Sequence, residues 1–198
     1  MTLAGLTDND PADYLDLAAA IADHSSQPDA DLAALWRRIA VFTLVHNVDD
    51  HFRNHGFLQS PGGWALAPAF DVNPNPDPNK ARATGISGIR SVAEERDALL
   101  EVAPYFGLTA DRGTEVLAQV DTAVASWQTV ATTNDILNHE TRLFADVFPA
   151  PACGGSGGGP TRRSSALQAG ALDMPPARHR DAHPLPESIG RPPESPSI

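Results

Sequence analysis

The sequence is short of several features on which common architectures and chemistries depend. It contains one cysteine, Cys153, so no disulfide can form within the chain and a reducing compartment is expected. It contains one lysine, Lys80, so chemistry that needs a lysine on a phosphate or in a Schiff base has a single residue to use. No stretch approaches the roughly 18 apolar residues of a membrane helix, and the N-terminus lacks the basic start of a signal peptide. These absences predict a soluble, cytoplasmic protein with no membrane partner.

Basic charge is also scarce. The chain has 14 Lys and Arg against 25 Asp and Glu, a formal net charge of −11, and residues 1–150 hold 21 of the acidic and 9 of the basic side chains. Because contacts to phosphates dominate nucleic-acid affinity, direct binding of DNA or RNA is not expected. A nucleotide is still compatible with this charge, since Mg²⁺ can bridge carboxylates to phosphates.

The spacing of apolar residues predicts a mostly helical body at residues 1–148. Pro11 is expected in the first turn of the first helix, and Thr109 is expected to cap a later one. Two short strand-like pieces, "HGFLQ" and "WALAP", flank the turn "SPGG" and predict a hairpin. The expected class is mainly α (α+β), a helical bundle with one small hairpin. The expected helices are 11–24, 30–47, 92–106, 110–131 and 134–147, with a loop between the hairpin and the third of them.

From residue 149 the composition changes. Residues 149–198 are rich in Pro, Gly, Ser and Arg and have few large apolar side chains. Such a segment cannot bury enough surface to offset its conformational entropy, so a disordered tail is predicted. The run "GGSGGGPT" within it lacks the Gly-Lys-Ser/Thr of a phosphate-binding loop.

Histidine, aspartate and asparagine crowd into "HNVDDHFRNH", which allows more than one interpretation. His51 and His55 lie four residues apart with His46 nearby, an arrangement that would allow zinc. The metalloprotease pattern, however, needs a glutamate directly after the first histidine, and Phe52 stands there. The simplest alternative is a polar loop that satisfies its own backbone, a role sufficient for Asp50 and His51.

The third interpretation is phosphoryl transfer. Protein kinases use Asp-x-x-x-x-Asn, in which the aspartate orients the acceptor hydroxyl and the asparagine holds Mg²⁺, and a second aspartate also holds metal. Asp49 and Asn54 have this spacing, whereas five residues after Asp50 comes His55. Asp71 follows the predicted hairpin, which would fold the chain back so that Asp71 faces Asn54 across one metal site.

The segment "LWRRIAVFTLVHNVDDHFRNHGFLQSPGGWALAPAFDVNPNP" resembles the C-terminal catalytic segment of HipA-like serine/threonine kinases, the toxins of bacterial HipBA toxin–antitoxin modules. The family pattern is Asn-Thr-Asp-Asp-His-x-x-Asn, a hairpin, then Pro-x-Tyr/Phe-Asp-Val. The resemblance implies a fold like a kinase C-lobe, Asp49 as the catalytic aspartate, and Asn54 and Asp71 as the Mg²⁺ ligands beside ATP. It also implies that His51 braces the loop.

The sequence departs from the family at His46, where glycine is common, and at Val48, where threonine is common. The resemblance also implies an N-terminal lobe with an ATP-phosphate loop and a nucleotide-binding lysine. Only about 45 residues precede the catalytic loop, and Lys80 follows Asp71, so the chain looks like a C-lobe without its partner lobe.

Three functions follow from these patterns. The first is a HipA-family kinase lobe that transfers the ATP phosphate to a serine or threonine of a protein substrate, with weak or no activity alone. The second is a non-catalytic interaction module, or a split-kinase subunit, that binds a HipB-like antitoxin or a separately encoded N-lobe. The third is a metal hydrolase that uses the same carboxylates without an acceptor protein.

Overall fold

A computed structural model describes residues 11–60 and 62–148 of the chain. The predicted class is confirmed, because these residues are mainly helical and form one antiparallel hairpin. No helix among them is both long and apolar enough to cross a membrane. The predicted tail, residues 149–198, lies outside the described residues. The elements are α1 (Tyr14–His24), α2 (Pro28–Leu44), β1 (Phe57–Ser60), β2 (Gly63–Leu66), α3 (Glu95–Glu101), α4 (Ala110–Val124), α5 (Trp127–Thr133) and α6 (Asn138–Leu143), with 3-10 turns at Phe52–Asn54 and Ala103–Phe106.

Helix α1 begins later than the sequence predicted. The placement of Pro11 in its first turn is wrong, because the chain is still extended at Asp13 (φ −135°, ψ 145°). The Asp13 carboxylate caps the helix by accepting the backbone N–H of Leu15 at 3.0 Å. Tyr14 opens the helix, and its N–H donates to the carbonyl of Gly85 at 2.9 Å. A side-chain cap and a contact to a distant loop therefore set this boundary.

Helix α2 lies at the centre of the core and packs against α1, α3 and α4. Trp36 is fully buried, and its indole N–H donates to the carbonyl of Leu99 at 3.0 Å. A Cβ atom on Gly113 of α4 would lie 3.1 Å from the Cβ of Ala103 and 3.5 Å from the Trp36 ring, so the missing side chain allows this close approach. The most deeply buried apolar side chains of the core are Ile21, Leu35, Trp36, Ile39, Ala40, Ile86, Leu99, Ala103 and Phe106.

The predicted hairpin is confirmed and is tied to the helical body. Strands β1 and β2 pair antiparallel, with Phe57 opposite Leu66. Asp31, buried in the first turn of α2, accepts the N–H of Leu66 at 2.8 Å and the hydroxyl of Ser25 at 2.7 Å. The hairpin is therefore held by a side chain of the central helix.

The later helices are shorter than predicted. The segment 92–106 divides into α3 and a 3-10 turn, because Pro104 has no N–H to continue the α-helical ladder. Thr109 caps α4 as predicted, accepting the N–H of Arg112 at 3.2 Å. Within 110–131 the helix is interrupted after Val124.

The interruption changes the role of Trp127. The helix predicted at 110–131 would include this residue, but Trp127 opens α5 and packs against Phe148, with ring centroids 4.8 Å apart. Ser126, just before it, turns its hydroxyl back to the carbonyl of Ala123 at 2.9 Å, which competes with continued helix. The helix predicted at 134–147 is the short α6.

Candidate functional site

From Val48 to His51, the chain alternates between buried and exposed side chains. Val48 and Asp50 are buried, whereas Asp49 and His51 are exposed. The Asp49 side chain is 73% exposed and the Asp50 side chain is 0% exposed. Alternation with a period of two is the pattern of extended chain, in which successive side chains point to opposite sides. Two adjacent carboxylates are thereby assigned to two environments, one facing solvent and one inside the protein.

Asp49 and His51 meet on the exposed side. The His51 Nε2 atom lies 3.0 Å from Asp49 Oδ1, and both side chains are half or more exposed. Through this contact the imidazole can limit the orientations of the carboxylate, and the expected role of His51 in bracing the loop stays a prediction. Asp49 keeps a second carboxylate oxygen that can accept a proton or a hydrogen bond from an incoming hydroxyl.

Asp50 lies at the centre of a buried polar network. Its Oδ2 atom accepts the Tyr14 hydroxyl at 2.5 Å and the Nε2–H of His55 at 2.8 Å. Its backbone carbonyl accepts the hydroxyl of Thr84 at 2.5 Å. Burial, together with the charge of Asp50, raises the pKa of Tyr14 well above its usual value, so the phenol remains a donor. These bonds fix the carboxylate and the main chain of Asp50 from three directions.

His55 extends this network to the hairpin. An Arg38 guanidinium N–H donates to His55 Nδ1 at 3.3 Å, and the second terminal nitrogen of Arg38 donates to the carbonyl of Ala67 at 2.5 Å. Because arginine can only donate, Nδ1 is the acceptor and the imidazole hydrogen sits on Nε2, facing Asp50. Burial lowers the pKa of Arg38, partly offset by Asp50, but an arginine remains charged after a modest decrease. The loop that carries Asp50 and His55 and the chain that leaves β2 therefore share one set of hydrogen bonds.

Asn54 and Asp71 flank the base of the hairpin. Asn54 ends the 3-10 turn Phe52–Asn54, and its N–H donates to the carbonyl of His51 at 2.8 Å. Beyond β2 the pairing continues, as the N–H of Ala67 donates to the carbonyl of Gly56 at 2.8 Å. The Phe70 ring lies close enough to contact a Cβ built on Gly56, at 3.5 Å. The hairpin thus returns the chain before Asp71 to the chain after Asn54, while the expectation that these two side chains face each other across one metal site stays a prediction.

Asp71 occupies a left-handed backbone conformation. Its φ is 55°, a region that residues other than glycine adopt rarely and often at functional positions. The Asp71 side chain is exposed, and its Oδ1 accepts the amide N–H of Asn73 at 2.6 Å. The backbone N–H of Asn73 donates to Asn47 Oδ1 at 3.3 Å. Asp71 is therefore connected through Asn73 to the residues that precede Asp49.

His46 also has a positive φ, of 52°, immediately after α2. This is where helices commonly end with a left-handed glycine, and the resemblance places glycine there. In this chain the His46 side chain supplies a contact that glycine cannot, since Nε2 lies 2.7 Å from the carbonyl of Asp77. The carbonyl of His46 also accepts the N–H of Asn75 at 3.0 Å. The departure from the family thus coincides with an added anchor for the loop after Asp71.

A buried ion pair supports the same region from below. Arg82 Nε and Nη2 lie 2.9 Å and 2.8 Å from Glu95 Oε2, and both side chains are almost fully buried. Arg82 also donates to the carbonyl of Asn47 at 3.2 Å and to the Tyr14 hydroxyl at 3.5 Å. Burial raises the pKa of Glu95, and the charge of Arg82 offsets this only in part. Arg82 therefore joins α1, α3 and the chain at Asn47, just before Asp49.

The donor atoms offered by Asn54 and Asp71 fit magnesium. An amide oxygen and a carboxylate oxygen are hard ligands, and Mg²⁺ in nucleotide sites is usually held by one or two protein groups, with phosphates and waters completing the coordination. Within residues 11–60 and 62–148, no three His, Cys, Asp or Glu side chains form a metal-binding group. His46, His51 and His55 face different partners, so the zinc arrangement has no support from the described contacts.

Several important residues were not singled out from the sequence. Asp50 received only a backbone-supporting role, and Tyr14, Arg38 and Arg82 received none. Asp50 and His55 carried a usable signal, because their spacing repeats that of Asp49 and Asn54 one residue later. The other three act from positions that the fold alone brings near, so nothing local in the sequence marks them.

Comparison with known families gave one match. Residues 1–127 match the family described as "HipA-like C-terminal domain". The match includes every expected site residue, and it ends at the first residue of α5. A comparison with curated proteins found no match.

Proposed function

The chain belongs to the HipA-like C-terminal domain family, and from this premise we propose that it is the catalytic lobe of a protein serine/threonine kinase. The proposal includes the finer expectations that the resemblance raised, namely ATP, Mg²⁺, a protein substrate and a toxin–antitoxin setting. The observation that carries it is the division of labour in the Asp-x-x-x-x-Asn loop. Asp49 faces solvent and can reach a substrate, while its neighbour Asp50 is buried and holds the loop.

In this proposal each exposed residue has a chemical role. Asp49 accepts a hydrogen bond from the acceptor serine or threonine hydroxyl and orients it. It takes the hydroxyl proton as that oxygen bonds to the γ-phosphorus of ATP and the bond from this phosphorus to the leaving ADP breaks. His51 limits the orientations of that carboxylate through its contact at 3.0 Å. Asn54 and Asp71 would hold Mg²⁺, which when bound neutralises charge on the ATP phosphates. The hairpin and the Asn73 contact keep Asp71 on the side of the catalytic loop.

A kinase nucleotide site also needs an ATP-phosphate loop and a nucleotide-binding lysine, and residues 11–148 show no likeness to the lobe that carries them. We propose that a nucleotide-binding lobe comes from further chain or from a separate protein, and that a HipB-like antitoxin is the second partner. Proximity can lower a barrier by about 7–11 kcal/mol only when both reactants are held rigidly. We therefore expect weak or no phosphotransfer from the 198 residues by themselves.

Mg-ATP binding to the full chain, measured by calorimetry, tests the site directly. Asp71→Ala should weaken Mg-ATP binding by about tenfold or more, because even supporting residues around a metal are commonly worth that much. Asp49→Ala should leave binding nearly unchanged and abolish any phosphotransfer. Asp97→Ala, an exposed aspartate on α3, is the matched control. The assignment of a nucleotide-linked metal site to Asn54 and Asp71 fails if wild type shows no magnesium-dependent ATP binding, or if Asp71→Ala and Asp97→Ala bind equally well.

A further inference from the structure

We propose that the buried pair Asp50–His55 acts as an internal staple that sets the geometry of the catalytic loop. Asp50 follows Asp49 directly, and His55 follows Asn54 directly. The bond from His55 Nε2 to Asp50 Oδ2, 2.8 Å long and fully buried, therefore closes the loop that carries both functional residues. The inference rests on the proposed function for the roles of Asp49 and Asn54, whereas the staple itself is a property of the fold.

The staple is distinct from the other anchor of the same carboxylate. The Asp50 Oδ2 atom accepts two hydrogen bonds, one from Tyr14 of α1 and one from His55. The Tyr14 bond attaches Asp50 to the helical body, but it does not constrain the distance from Asp49 to Asn54. The His55 bond does constrain it, because its two ends flank the loop. Loss of either bond should lower global stability, and only loss of the second should alter the loop.

Arg38 carries the constraint onward to Asp71. It donates to His55 Nδ1 and to the carbonyl of Ala67, four residues before Asp71. His55 thus donates from Nε2 to Asp50 and accepts at Nδ1 from Arg38, which also binds the Ala67 carbonyl at the base of the hairpin. We therefore assign His55, together with Asp50, as a positioning residue for the metal ligands on both sides of the hairpin. Neither of the two touches substrate.

The chain offers a matched set of variants. His55→Gln keeps a nitrogen donor at the reach of the imidazole Nε2, because the two side chains have the same number of bonds from Cβ to that atom. His55→Leu removes the donor and keeps the apolar volume. Tyr14→Phe removes the other bond to the same carboxylate oxygen and serves as the structural control.

Amide hydrogen exchange of the full chain, followed by NMR, reads the loop without any metal. The amides of Asn54 and His55 donate within the loop to His51 and Phe52, and the amide of Ile39 in the core reports global opening. His55→Leu should speed exchange at Asn54 and His55 about tenfold or more relative to Ile39. Tyr14→Phe and His55→Gln should leave that ratio within about twofold of wild type.

Manganese added to the same samples tests the metal consequence, because Mn²⁺ broadens the resonances of nearby amides. Broadening around Asn54 and Asp71 should require about tenfold more Mn²⁺ in His55→Leu, and should be restored in His55→Gln. If Tyr14→Phe loosens the loop as much as His55→Leu, or if His55→Leu leaves the exchange ratio unchanged, the staple is wrong. If wild type shows no broadening, the metal role in the proposed function fails, and the exchange ratio still decides the staple.

Discussion

The buried pair Arg82–Glu95 gives the sharpest test of the energetics of this fold. Replacing Glu95 with leucine would remove the carboxylate oxygen that accepts the Nε–H of Arg82 at 2.9 Å and lies 2.8 Å from Arg82 Nη2. The Arg82 charge would then stay buried, with only the Asn47 carbonyl and the Tyr14 hydroxyl as neighbours. Leaving one partner of a buried pair uncompensated costs about 3–5 kcal/mol. A domain of this size is stable by about 5–15 kcal/mol in total, so Glu95→Leu should remove a large share of it.

Two companion variants separate charge from contact. Glu95→Gln keeps an acceptor oxygen for Arg82 and resembles the neutral acid, which burial already favours by raising the pKa of Glu95. It should cost less than Glu95→Leu, about 1.5–3 kcal/mol, which is the range for a hydrogen bond to a charged group. The double variant Arg82→Met with Glu95→Leu removes both charges, and should lie within about 1–2 kcal/mol of wild type, because desolvation of the pair offsets most of its attraction.

Urea unfolding followed by far-ultraviolet circular dichroism measures these differences, provided that the slope against denaturant stays constant among variants. Wild type should be the most stable and Glu95→Leu the least stable, with Glu95→Gln and the double variant between them. The reasoning is refuted if Glu95→Leu lies within about 1 kcal/mol of wild type. It is also refuted if the double variant loses as much stability as Arg82→Met and Glu95→Leu lose when measured singly and added, since contacting residues should couple.

Two further predictions use the same unfolding assay. First, the folded protein holds the Glu95 proton more tightly than the unfolded chain, so Glu95 favours folding below its unfolded pKa, and this contribution declines as pH rises through the folded pKa. The stability of wild type relative to Glu95→Gln should therefore fall between pH 4 and pH 7. A rise in this relative stability would contradict the raised pKa. Second, Asp71 has a φ of 55°, and a left-handed conformation costs about 1–2 kcal/mol for residues with a Cβ. Asp71→Gly should therefore be more stable than Asp71→Ala by about 1 kcal/mol. Equal stabilities of these two variants would mean that the backbone at residue 71 is not strained.

The parts of the fold that depend on local pattern were predictable. The hairpin was marked by strand-like pieces around Gly-Gly, the Thr109 cap by its residue type, and α2 by its apolar spacing. The errors lie where a tertiary contact overrides local preference. Helix α1 begins after Pro11 because Asp13 caps it and the Gly85 carbonyl accepts the N–H of Tyr14. Trp127 packs against Phe148 and begins α5, although the sequence predicted one helix over 110–131.

The candidate site divides in the same way. Spacing selected Asp49, Asn54 and Asp71, and these residue roles stay predictions that the proposed experiments test. What spacing could not supply was the support, because Tyr14, Arg38 and Arg82 are separated in sequence from the residues they hold and approach them only in the folded chain. A buried arginine has no local signature, since its burial depends on a partner such as Glu95.

The alternation of buried and exposed residues after α2 makes the site sensitive to insertion and deletion. Adding one residue between Val48 and Asp49, within the residues that alternate, would turn Asp49 inward and Asp50 outward, although the Asp-Asp pair itself would still be present. An alignment of such a variant would show an intact motif in a protein whose solvent-facing carboxylate had lost its histidine neighbour. A change of two residues would restore the side on which each carboxylate lies. Whether an insertion before Asp49 has an odd or an even number of residues therefore decides which aspartate faces solvent.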